Sequence, residues 1–112
     1  MRIRYLDRAA IEDALRSYIH RLASEFPEVR RVVLFGSFVR EEGVPGSDVD
    51  ILIELSGSKL PFLDRIPRYL PRRFPVGVDV FPYTTDELRT LLEEGNHFLR
   101  RALDEGREIL SR

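Results

Sequence analysis

The stretch Phe35–Leu55, FGSFVREEGVPGSDVDILIEL, decides how this chain is read. Its second half has the alternation of a strand, yet two aspartates stand at the strand's mouth, two residues apart. Aspartate is depleted in strands, and an ionised carboxylate near a sheet core is costly unless positive charge meets it. With period-2 alternation, Val49, Ile51, Ile53 and Leu55 face one side, and Asp48, Asp50, Leu52 and Glu54 the other. Asp48 and Asp50 then lie on one face, about 7 Å apart along the backbone. Carboxylates so placed converge on hard cations. Mg²⁺ takes one or two of them together with phosphate oxygens and water. Two such ions about 4 Å apart clamp the attacking and leaving oxygens of a phosphoryl-type displacement.

A third carboxylate from a neighbouring strand would complete the cage. Asp79 is the candidate, lying mid-strand in Val78-Asp79-Val80-Phe81 with apolar residues on both sides. Upstream, Gly36-Ser37 follows a strand and opens a turn, so that backbone N–H groups and a hydroxyl are offered to an anion such as a phosphate. Arg40 is placed to add a cation to a phosphate tail. Ser47, beside Asp48, is a further candidate for the same site. Each element alone has a plainer reading. A lone Asp-x-Asp is also what a turn after Gly46-Ser47 leaves, Gly-Ser is a common turn pair, and a single strand aspartate is often salt-bridged. The joint pattern is more specific than its parts.

Working outward, Asp7 to Glu25 sets Ile11, Leu15, Tyr18, Ile19 and Leu22 on one helical face, with Asp7 as N-cap. Val29 to Phe35 reads as a strand, Gly36 to Glu42 as a brief helix, and Gly43-Val44-Pro45-Gly46 as a loop. Phe62 to Leu70 has helical spacing, but Pro67 and Pro71 predict two short pieces, with Pro61 and Pro67 each near a first turn. Val76 to Pro82 reads as a third strand. Thr84-Thr85-Asp86-Glu87 is a capping box opening a helix that Gly95 closes. A last helix runs from Asn96 to Glu105, with Gly106 stopping it and Arg107 to Leu110 extended. This order predicts an α/β (α+β) fold, a small mixed sheet of three to four strands flanked by helices, in one domain over residues 1–112. Glu54 reads as solvated or paired at the strand's end. His20 and His97 have no partner at ligand spacing and read as surface or capping residues. The run Arg65, Arg68, Arg72, Arg73 reads as a solvated face, with partner binding as its alternative.

Composition narrows the class. The chain has 112 residues, 43% hydrophobic and 33% charged, with a net charge of −1. A sequence-independent nucleic-acid binder needs a clear basic excess, so none is expected. The absence of cysteine removes disulfides and thiolate metal sites. No apolar run approaches the ~18 residues of a membrane span, and the first residues carry no apolar signal core, which predicts a cytoplasmic protein.

Gly36-Ser37, ten intervening residues, then Asp48-Val49-Asp50 resembles the signature of the minimal nucleotidyltransferases in the DNA polymerase β-like superfamily. The resemblance extends from the first helix through VDVFPYTTDEL to FLRRALDEGREIL. It implies that Asp48 and Asp50 bridge two Mg²⁺ ions, that Asp79 helps hold the catalytic one, and that Gly36 and Ser37 contact a nucleoside triphosphate, ATP. Many relatives carry arginine directly after Gly-Ser; this chain has Phe38, which leaves Arg40 as the phosphate cation. The resemblance further implies an antitoxin of the HEPN/MNT type, which moves AMP from ATP to a tyrosine of a partner HEPN-domain toxin. Two other readings stand beside it. One is a binding module that neutralises its partner by contact alone, the other a transferase acting on a small molecule or a nucleic-acid end. The short chain favours an acceptor that brings its own structure.

Overall fold

In the computed structural model, which describes residues 8–36, 39 and 49–112, the alternation of the second strand becomes two separate apolar layers. The elements run α1 (Arg8–Glu25), β1 (Val29–Phe35), β2 (Val49–Leu55), α2 (Phe62–Tyr69), β3 (Val78–Thr84), α3 (Thr85–Glu93), α4 (His97–Glu105) and β4 (Arg107–Ser111). The four strands form one mixed sheet in the order β3-β2-β1-β4. β2 and β3 are parallel, whereas β1 runs antiparallel to both β2 and β4. On one face, Ile11, Leu15, Tyr18 and Leu22 of α1 pack with Val32, Leu34, Ile51 and Ile53. On the other, Val33, Phe35 and Leu52 pack with Leu88 of α3 and Leu99 and Ala102 of α4. The fold is the α+β sheet-and-helix arrangement expected. Asp50, in register with Leu52, belongs to the face covered by α3 and α4.

Local chemistry explains most boundaries. Thr84 accepts from the Glu87 N–H (3.1 Å), and the Glu87 carboxylate accepts from the Thr84 N–H (2.9 Å), so the capping box forms as written. Asn96 caps α4 by accepting from the Leu99 N–H at 3.0 Å. A Thr84→Ala substitution is expected to cost about 1 kcal/mol, read as a lowered urea midpoint at unchanged slope.

Three expectations are corrected. Phe62–Tyr69 is one helix with Pro67 inside it, not two pieces. Pro67 is its sixth residue, and the first four N–H groups of a helix have no intrahelical partner, so the proline removes a single bond late in a short helix. The third strand begins at Val78 instead of Val76, because its pairing to β2 runs from Val49↔Val78 to Leu55↔Thr84. The arginine run is not one solvated face. Arg65 is only 4% exposed. It donates to the Leu60 carbonyl (2.9 Å), the Pro82 carbonyl (3.0 Å) and both oxygens of Glu87 (2.7 and 3.0 Å). Arg68 lies over the rings of Phe26 and Tyr69. Arg68, Arg72 and Arg73 are exposed as read. Asp7, the brief helix after Gly36 and the loop around Pro45 lie outside the described residues. Among the described residues, no helix is long and apolar enough to cross a membrane.

Candidate active site

β2 and β3 bring two of the sequence-predicted carboxylates side by side. Asp50 and Asp79 are register partners on these parallel strands, so their side chains leave the sheet on the same face from backbones about 4.8 Å apart. Asp50 is half-buried and Asp79, on the outermost strand, is exposed. Like charges directly opposite one another destabilise a sheet unless positive charge comes between them. Two oxygen ligands on adjacent strands are a donor set suited to a hard cation. Asp48 lies outside the described residues, as do Ser37, Arg40 and Ser47. Among the described residues, no group of three metal-ligating side chains forms.

On the other side of β2, Asp50 is the register partner of Phe35, the last residue of β1. The next residue, Gly36, has φ +88°, and a Cβ built there would fall 2.3 Å from Asp50 Oδ2. Only glycine leaves room for that carboxylate where it stands. Gly36 of the Gly-Ser pair and Asp50 of the Asp-x-Asp motif, separate in sequence, therefore meet in the structure. Farther along the same face, Glu54 has partners of its own. It accepts from Arg31 Nε at 2.9 Å and from the Thr85 hydroxyl at 2.7 Å, as a residue paired at the strand's end.

A cleft of about 360 Å³ opens between Asp50 and α4, lined by Phe35, Gly36, Asp50, His97, Phe98 and Arg101 among others. The α4 residues here were not singled out by sequence reasoning, which gave His97 a surface or capping role. His97 is the first residue of α4 and lines the cleft. Phe98 is 52% exposed although its ring touches those of Phe35 and Phe81, at centroid separations of 5.5 Å each. Arg101 pairs with Glu105 at 3.1 Å, one helical turn on. The i, i+3, i+7 spacing of Phe98, Arg101 and Glu105 was visible in the sequence. That this helix face looks onto Asp50 was not, because it depends on how α4 crosses the end of β1.

Among curated proteins, none matches this chain. Among solved structures, a provisionally assigned nucleotidyltransferase from Sulfolobus solfataricus superposes with a TM-score of 0.57 at 23% identity, over 92% of this chain and 87% of its own. A toxin–antitoxin structure with AMP-PNP superposes with a TM-score of 0.58 at 17% identity, over 90% of this chain and 73% of its own. Likenesses at these identities establish a common fold. The sequence itself goes further: residues 15–109 match the family model of the nucleotidyltransferase domain, and the chain belongs to that family.

Proposed function

We propose that this chain is a Mg²⁺-dependent adenylyltransferase that moves AMP from ATP to a hydroxyl group, a tyrosine of a partner HEPN-domain toxin, and so acts as an antitoxin. The observation that carries this reading is the Asp50–Asp79 register pair with Gly36 pressed against the Asp50 carboxylate. The toxin–antitoxin neighbour solved with AMP-PNP supports both the nucleotide and the kind of partner.

Asp50 and Asp79, joined by Asp48 from the sequence motif, would hold the divalent ions. When bound, these supply positive charge to the phosphoryl oxygens and to the leaving group. The remaining work falls to positioning. Gly36 would open a turn whose backbone N–H groups are offered to the triphosphate. Asp79, exposed on the outer strand, stands where an acceptor on another protein can approach. The acceptor oxygen bonds to the α-phosphorus as the bond to the bridging oxygen breaks. Pyrophosphate leaves, and the hydroxyl proton passes to solvent.

The test is incubation of the chain with α-labelled ATP, Mg²⁺ and the toxin encoded beside it. Expected is a mass gain of one or more AMP units on the partner, lost in an Asp48→Asn, Asp50→Asn double variant. If wild type transfers no label while that double variant still neutralises the toxin at equal stoichiometry, the protein is a binding module instead. Label appearing only on a small molecule or a nucleic-acid end would replace the toxin as acceptor.

A further inference from the structure

We propose that the exposed ring of Phe98 is the platform on which the base of the donor nucleotide stacks, an inference that rests on the transferase reading above. Phe98 is half-exposed on a helix whose Leu99 and Ala102 are buried in the core, so one side of its ring is open to a ligand. This ring is also held rigidly. Phe35 meets it edge-on, at an interplanar angle of 81°, and Phe81 supports it at 56°. Phe35 and Phe81 touch each other as well, at 5.6 Å. Three mutually packed rings fix one free aromatic surface, and a fixed plane is what base stacking needs.

Position decides between the two molecules that meet at this site. The cleft lies on the Gly36 side of Asp50, the side of the phosphate-binding turn, and both Gly36 and Asp50 line it together with Phe98. Asp79, on the outer strand, leaves the opposite side for an acceptor. A donor nucleotide with its phosphates at Gly36 and its α-phosphorus at Asp50 thus has its nucleoside within reach of Phe98. Charge decides which part of the nucleotide enters. Among the described residues that line the cleft, Arg101 is paired with Glu105. Away from Gly36, a paired cation beside an open ring accepts a flat, uncharged, hydrogen-bonding ring. His97, Arg101 and Glu105 bring polar atoms to the cleft that holds that ring.

The experiment is equilibrium binding of 2-aminopurine riboside 5′-triphosphate to the full chain with Mg²⁺, read by the quenching that stacking imposes on this fluorescent base. Wild type is expected to quench it, and Phe98→Tyr to preserve the quenching. Phe98→Leu keeps an apolar side chain against Phe35 and Phe81 but has no ring. It is expected to lose the quenching and to bind the nucleotide about 5- to 150-fold more weakly, while Phe98→Tyr, which keeps the ring, retains both. Equal affinity and equal quenching in Phe98→Leu and wild type overturn the inference while leaving the transferase reading intact. Failure of wild type to bind the triphosphate at all overturns both.

Discussion

Replacing Gly36 with alanine is expected to reduce nucleotidyl transfer on the order of 100-fold while leaving the protein folded. The added methyl would sit 2.3 Å from Asp50 Oδ2 and 3.2 Å from its Cγ. The atoms in the way belong to a side chain, so the carboxylate can swing aside at small cost in stability. It cannot do so and keep its place beside Asp79. A displacement of about 1 Å in a positioned reacting group is enough for a loss of about 100-fold. Alanine at φ +88° adds backbone strain of about 1–2 kcal/mol. Gly95→Ala provides the control. Its φ is +84°, so the strain is alike, but a Cβ there meets nothing within 4 Å. The two variants should therefore melt at similar temperatures and differ in activity by about two orders of magnitude. Equal activities would show that the Asp50 carboxylate is not held by contact with Gly36.

The second large effect concerns stability. Arg65→Met is expected to destabilise the protein by about 2–4 kcal/mol and to lower Tm by about 10–15 °C. The buried guanidinium ties the Leu60 carbonyl, the Pro82 carbonyl and the Glu87 carboxylate together, and methionine satisfies none of them. Glu87 is partly exposed, at 41% of its side chain, and can turn to water, which keeps the loss below that of a fully buried pair. The pH dependence carries a definite sign. The hydrogen bond from Arg65 is the main reason the Glu87 carboxyl is held below the usual carboxylate range, against partial burial that raises it. A carboxyl lowered on folding stabilises fully above its unfolded value of about 4.3, and that contribution fades as pH falls through the folded value. The stability gap between wild type and Arg65→Met should accordingly shrink below about pH 4 in urea titrations. A gap that stays constant from pH 7 to pH 3 would show that the ion pair contributes nothing.

What could be read from the sequence was local or periodic. Alternation in VDILIEL placed Asp50 opposite Ile51 and Ile53, and the Thr84–Glu87 box announced α3, because both signals lie within a few residues of their cause. That Asp79 would join Asp48 and Asp50 from a neighbouring strand was expected from charge alone, because a strand aspartate among apolar residues needs a reason; its register with Asp50 was not legible. The buried Arg65 was hidden because its partners are an acceptor five residues away, one in the next strand and one beyond it. Nothing in the spacing of four arginines distinguishes the one that turns inward. His97, Phe98 and Arg101 were hidden for a related reason. Their helix gives an ordinary amphipathic pattern, and only its crossing over Phe35 and Phe81 turns one face toward Asp50. Pro67 misled because the rule against proline in helices weakens when the helix is two turns long.

The Pro82 that Arg65 grips has a consequence for how this protein meets others. Among the described residues β3 lies at the edge of the sheet, and an edge strand with outward N–H and C=O groups invites another chain to zip onto it. Pro82 has no N–H to donate, and its carbonyl is already occupied by the guanidinium. The ladder is interrupted there, three residues from Asp79. A protein approaching that flank therefore cannot continue the sheet through this point, which guards against filament growth and leaves side-chain contact as its way of engaging the carboxylates.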